Sequence, residues 1–259
     1  MSTLEDACTT GRKFTVDRYP RQSRLQYMQS MTVPTNLAAI WFALNRVVSW
    51  PIFNRMGRGG RLDASQARSL RGWAVVTNGT GNLFRIGKDS RFKGTVEFAG
   101  DNNRVLIGVD CSFQGKIFVS GNDQSVVIGD NSGAKGLYIL CAENCDVRIG
   151  KRCMFSREIE IRTTDAHSVV DRRTGKRTNT PASIQIGDHV WVGLRAIITK
   201  GATVPSDSVV AAMSFVNGQF EEEGVILAGA PARVIKKGIT WNGARKRRFS
   251  ERELDHWKG

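Results

Sequence analysis

Four isoleucines, Ile86, Ile107, Ile128 and Ile149, stand 21 residues apart, and an interval kept this strictly admits few folds. Other positions repeat in register with them. Phe84, Val105, Val126 and Val147 lie two before, and Phe92, Phe113, Ala134 and Phe155 lie six after. Val96, Ile117, Tyr138 and Ile159 follow at ten, and Phe98, Val119, Leu140 and Ile161 at twelve. Offsets of two and six, joined by clusters such as Gly100, Asp101, Asn102 and Asn103, describe short strands and corners, not a helix. Each period therefore predicts one coil of a β-solenoid. Downstream the period becomes six, with Ile186, Val192, Ile198, Val204 and Val210 in one phase. Val190, Ala196, Ala202, Ser208 and Ser214 stand four after each. A bulky aliphatic pointing inward and a small or β-branched residue at each corner predict a triangular coil with three short sides.

This pattern resembles the hexapeptide-repeat acyltransferase superfamily, whose members are left-handed parallel β-helices. IGDHVW, VGLRAI and VAAMSF follow its repeat, while Thr199 and Pro205 stand where a small residue such as Gly is usual. The 21-residue turns resemble the longer coils of bacterial capsule and exopolysaccharide O-acetyltransferases, and the resemblance runs from about Trp73 to Trp241. The expected fold is all-β: a left-handed parallel β-helix (hexapeptide-repeat solenoid) with an N-terminal, partly helical cap and a short C-terminal helical tail. In domains, residues 1–71 form the capping region, residues 72–241 the β-helix acetyltransferase domain with a protruding loop at 163–182, and residues 242–259 a basic tail.

Charge is unevenly placed. The net charge of +14 divides into +7 over residues 1–80, +1 over 81–232 and +6 over 233–259. Basic ends suit docking to anions, with solvated tails as the plain alternative. The five cysteines lack metal-ligand spacing and no apolar leader precedes them, so a cytoplasmic, reducing setting is expected. The apolar stretch Leu37 to Trp50 carries Asn45 and Arg46 and is too short to span a bilayer. Leu37, Ile40, Trp41, Leu44, Val47 and Val48 follow helical spacing, with Thr35 or Asn36 to start the helix and Pro51 to end it. That helix is expected to cap the open end of the solenoid; lying at the inner membrane surface is the alternative.

Register breaks between Ile161 and Ile186, where a polar, basic segment too long for a corner must leave the coil. Its start, RTTDAHS, looks like the active-site stretch of the acetyltransferases, and the resemblance makes His167 the general base. Imidazole suits removal of a proton from a sugar hydroxyl. Asp165 is a candidate to orient it, although an ordinary solvated carboxylate is an equal reading. The resemblance also places Trp191 on the acetyl and acceptor pocket, against the alternative of packing between coils. His189 is expected to be structural. AGAPARVIKKG resembles the superfamily's closing element beside the CoA nucleotide. Pro231, Arg233, Lys236 and Lys237 are accordingly expected at the cofactor phosphates, with Lys200, Gly193 and Ala211 along the coil edges.

The expected activity is direct acetyl transfer from acetyl-CoA to a hydroxyl of a sugar in a polysaccharide or glycan precursor, without metal. An N–H near Gly193 would hold the oxyanion. The resemblance implies a homotrimer with CoA bound between subunits, a glycan acceptor that an anionic character would suit, and no specific nucleic acid. Amide formation on an amino sugar nucleotide is the nearest alternative. A β-helical scaffold or anionic-polymer-binding protein is the non-enzymatic one. A γ-type carbonic anhydrase would need three zinc histidines, and His256, the third histidine here, lies in the tail.

Overall fold

The computed structural model describes residues 53–258. The helix expected over residues 37–48, and its capping role, lie outside the described residues. The described chain winds into a left-handed parallel β-helix with three faces. The first face stacks Arg61–Asp63, Leu83–Ile86, Arg104–Ile107, Ser125–Ile128, Val147–Ile149, Ile184–Ile186 and Thr203–Val204. The second and third faces share the long strands Ser69–Asn78, Arg91–Ala99, Ser112–Ser120 and Gly133–Ala142. In later coils these faces separate. Met154–Phe155, Trp191–Val192 and Val209–Val210 continue the second, while Ile159–Arg162, Ile197–Thr199 and Phe215–Val216 continue the third. The wall already includes Phe53–Arg55, paired in parallel with Trp73–Val75, so the coil starts well before residue 72, where the repeat becomes legible.

The long strands pass from second to third face without a break because glycine allows the bend. Gly72, Gly94 and Gly115 stack in register with φ between +138° and +156°. A Cβ on Gly94 would lie 1.8 Å from the Gly115 carbonyl oxygen, so no other residue fits there. At Gly136 the ladder slips, and Gly115 pairs with Leu137. The slip corrects two expected columns. Leu137, Ile139 and Cys141 face the core, which turns Tyr138 and Leu140 to the other side of the strand. The true column runs Val96, Ile117, Ile139, Ile161, Ile198 and Val216.

The six-residue phase holds as expected. Ile186, Val192, Ile198, Val204 and Val210 are at most 2% exposed, and the corner residues Val190, Ala196, Ala202, Ser208 and Ser214 at most 1%. Polar corners inside the longer coils are satisfied from coil to coil: the Asn103 N–H donates to Asn82 Oδ1 at 2.9 Å and the Gln124 N–H to Asn103 Oδ1 at 3.0 Å. The wall ends in an antiparallel pair, Ile226–Gly229 with Ala232–Lys236, which covers the last parallel edge with a basic strand. The chain then carries the short helix Glu251–Leu254, where the Glu253 carboxylate accepts the Ser250 N–H. Among the described residues no helix is long and apolar enough to cross a membrane.

Candidate active site

The loop leaves after Ile159–Arg162 and returns at Ile184–Ile186, so it springs from the edge between the third and first faces. Its stem is tied to the wall on both sides. The Thr164 hydroxyl and the Arg177 guanidinium both donate to the Glu143 carboxylate, and Arg177 holds that acid below the usual carboxylate range. Asn179 closes the stem across its width. Its Nδ2 donates to Asp165 Oδ2 and to the His167 carbonyl oxygen, each at 2.8 Å, while its Oδ1 accepts the Val169 N–H at 2.7 Å. Lys200 pairs with Asp165 and, with Asn179, lowers that carboxyl's pKa.

The Asp165 carboxylate bonds to Lys200 and Asn179, so it fixes the backbone at the root of the loop and makes no bond to the His167 ring. Lys200, expected along the cofactor edge, is half-buried and engaged in this pair. His167 is exposed, and its ring nitrogens take no partner among the described residues. Beside it stand two exposed apolar side chains, Val169 at 59% and Val170 at 52%. No sequence pattern announces the Glu143, Arg177 and Asn179 girdle, because its members are separated by a loop whose folding no periodicity records.

Trp191 belongs to a different edge. It follows the corner between the first and second faces, in register with Met154 on one coil and Val209 on the next. Its side chain is 39% exposed, and Met154 beside it 38%. Gly193 turns the next corner so tightly that a Cβ there would lie 2.6 Å from the Ala212 nitrogen. The Gly193 N–H donates to the Val210 carbonyl at 2.8 Å and the Ala211 N–H to that of Leu227 at 2.8 Å. Both are committed to the wall, so an oxyanion donor near Gly193 would have to be another N–H of these corners. One residue further round each corner, the Leu194 and Ala212 N–H groups take no partner among the described residues.

The closing hairpin presents Pro231, Arg233, Lys236 and Lys237 at the surface. Lys237 pairs with Glu222 at 2.5 Å, whereas Lys236 has no anionic partner among the described residues. The Arg233 guanidinium donates to the neighbouring Ala232 carbonyl at 2.9 Å. A polar hollow of about 280 Å³ opens on the outside of the first face, where the loop re-enters, lined by Asp146, Arg148, Ser183, Gln185, Thr203 and Gln219 among others. Gln185 and Arg148 are the outward members of strands whose inward members are Ile184, Ile186, Val147 and Ile149. Period-two alternation alone could have found them.

No protein-family model matches the chain. It is 31% identical over 103 residues to the polysialic acid O-acetyltransferase of Neisseria meningitidis, covering 40% of this chain and 48% of that one. With the polysialic acid O-acetyltransferase of Escherichia coli O1:K1 it shares 32% identity over 99 residues, 38% of this chain and 32% of the relative. These matches span less than half the length of either relative. In three dimensions the crystal structure of the polysialic acid O-acetyltransferase OatWY superposes with a TM-score of 0.69 at 26% identity, covering 78% of this chain and 98% of that one. The resemblance to hexapeptide-repeat acetyltransferases thus extends from motif to fold.

Proposed function

We propose, from a wall built like those of the hexapeptide-repeat acetyltransferases, that this chain moves an acetyl group from acetyl-CoA to a sugar hydroxyl of a polysaccharide or glycan precursor. The observation that carries the reading is the girdled loop, whose root is fixed beside a polar hollow and which carries an accessible imidazole with no partner among the described residues. His167 takes the proton of the attacking hydroxyl. The hydroxyl oxygen bonds to the acetyl carbonyl carbon, the carbon–sulfur bond breaks, and the proton passes from His167 to the departing thiolate. Leu194 or Ala212 supplies the N–H for the oxyanion, since both project from the corner next to Trp191. Asp165 acts by holding the loop. Arg233 and Lys236 take the nucleotide phosphates, and the amides, hydroxyls and guanidinium of the hollow suit sugar hydroxyls and an acidic group on the acceptor. The named relatives act on polysialic acid, and an acidic acceptor here agrees with the basic ends of this chain.

His167 and Trp191 issue from opposite edges of the first face, separated by roughly three to four strand residues, on the order of 10–13 Å. One copy therefore does not close the site. Placing the loop of one subunit against the Trp191 edge of the next, three times around an axis, would close it and cover Val169 and Val170. Transfer of labelled acetyl from acetyl-CoA to neutral and acidic polysaccharides tests the reading. A product whose label is released by hydroxylamine is an ester and supports it. A stable amide on an amino sugar nucleotide, or no transfer to any glycan, would overturn it.

A further inference from the structure

The corner before Trp191 contains a side chain that the proposed chemistry does not use. His189 sits in the left-handed region, φ 53°, at a corner where Asn or Asp is the ordinary choice. It is nevertheless 2% exposed. Two indoles cover its faces: Trp241 stacks at 4.2 Å and 10°, and Trp257 at 5.0 Å and 9°. The imidazole is held edgewise by Asp207, whose Oδ1 lies 2.8 Å from His189 Nδ1 and also accepts the Thr240 hydroxyl at 2.6 Å. Trp241 is fixed a second time, since its Nε1 donates to the His189 carbonyl at 2.7 Å. Arg152 ties the far end of the tail through the carbonyls of His256 and Trp257.

Docking of this kind carries a cost, because His189 Nε2 and Trp257 Nε1 are both buried without a partner among the described residues. A tail that merely covered apolar wall would avoid two such atoms. The clamp instead fixes the indole of Trp241 beside Trp191, with ring centroids 6.2 Å apart and planes tilted by 46°. Trp191, 39% exposed on an open edge, has no other aromatic neighbour among the described residues.

We propose that Trp241 is a positioning residue for Trp191, and that residues 240–258, clamped on His189, form the outer wall of the pocket in which the thioester carbonyl meets the acceptor. The inference rests on the acetyl-transfer reading for its kinetic consequence but not for its geometry. Asp207 holds His189, His189 holds Trp241, and Trp241 sets the face that Trp191 turns to the reacting groups. Because this arrangement acts on alignment and not on phosphate contacts, its loss should lower kcat and leave the KM for acetyl-CoA nearly unchanged.

The test uses the full chain with Trp241→Ala, Trp241→Phe and His189→Asn. Two readouts are taken: steady-state constants with acetyl-CoA, and the indole N–H resonance of Trp191, assigned by its disappearance in Trp191→Phe. Trp241→Ala should lower kcat on the order of 10- to 100-fold, with KM for acetyl-CoA within about twofold, and should shift the Trp191 resonance. Trp241→Phe, which keeps a ring against His189, should recover most of the rate. His189→Asn should shift the Trp191 resonance in the same sense. An unmoved Trp191 resonance in Trp241→Ala, or a Phe variant as slow as the Ala variant, would overturn the proposal. If the parent transfers no acetyl group, the functional reading fails, while the resonance still decides whether Trp241 positions Trp191.

Discussion

Two glycines on the second face allow the corner beside Trp191 to be tested against its own wall. Gly193→Ala would place a Cβ 2.6 Å from the Ala212 nitrogen and 2.9 Å from its Cα. Both are backbone atoms of the next coil and cannot swing aside. Adjacent coils must part at that corner, and overpacking of this kind costs about 1–3 kcal/mol. For a chain of this size each kcal/mol moves the melting temperature by about 2–4 °C, so a fall of about 2–12 °C is expected. Gly133, in the same register column as Met154 and Trp191, meets nothing within 4 Å when a Cβ is added. Gly133→Ala should therefore hold or raise the melting temperature, by removing about 0.5–1 kcal/mol of backbone freedom from the unfolded chain. The two variants also differ in chemistry. Parting the coils at Gly193 moves the Leu194 and Ala212 N–H groups, so the rate at a temperature well below melting should fall by about tenfold or more, whereas Gly133→Ala should turn over like the parent. Calorimetry and single-turnover transfer measure both. A Gly193→Ala protein that melts lower yet keeps the parent rate would remove the oxyanion role from this corner, and an unchanged melting temperature would refute the packing argument itself.

His167→Ala should lower kcat on the order of 10² to 10⁴ with acetyl-CoA binding by calorimetry nearly unchanged, because the base acts on the acceptor; near-parent turnover would end its assignment. Arg233→Ala and Lys236→Ala should raise the KM for acetyl-CoA about tenfold or more each, and less for the dephospho form; equal effects on both would place the 3′-phosphate elsewhere. Burial lowers the pKa of His189 from 6.5, against the pull of Asp207 and with His256 and Arg152 adding to the fall. The unfolded chain then binds a proton that the folded site refuses, so stability is fully present above pH 6.5 and declines as pH falls through the lowered folded value. Melting temperatures of the parent should drop more steeply between about pH 7.5 and 5 than those of His189→Asn, and parallel slopes would show that this imidazole is not the linked group.

Inward positions were legible in the sequence because burial imposes a period on them. Ile186, Val192, Ile198, Val204 and Val210 could be read as one column, and each is buried. The reading failed at Tyr138 and Leu140, where a single extra residue beside Gly136 slips the ladder and both column members remain hydrophobic. Hydrophobicity alone does not separate Tyr138 from Ile139; only the pairing with Ile117 and Ile161 does. His167 and Trp191 are singled out by their motif context. The partners that hold them, Glu143, Arg177, Asn179 and Trp241, are joined by tertiary contacts across 12 to 50 positions, which no local pattern can register.

A β-helix wall gives a physical reason for this division. Along each face, side chains alternate between a core that accepts only apolar or satisfied groups and an outer surface ruled by the pleat, so a change at an inward position is felt by the coils on either side. The ejected loop and the outward positions of some corners escape that constraint. A few of their backbone N–H groups take no partner among the described residues, as at Leu194 and Ala212, and some of their side chains can differ, as His189 does where Asn or Asp would serve. Chemistry on such a wall must then be assembled from edges. The triangular section sets those edges one face apart, and in the proposed reading a second copy brings its edge alongside so that His167 and Trp191 meet. A monomeric variant of this protein should accordingly keep its coil and its melting cooperativity while losing transfer, and mixing His167→Ala with Trp191→Ala chains should restore a fraction of the activity that neither has alone. Absence of any recovery in the mixture, with exchange of subunits verified by mass, would show that each copy carries a complete site.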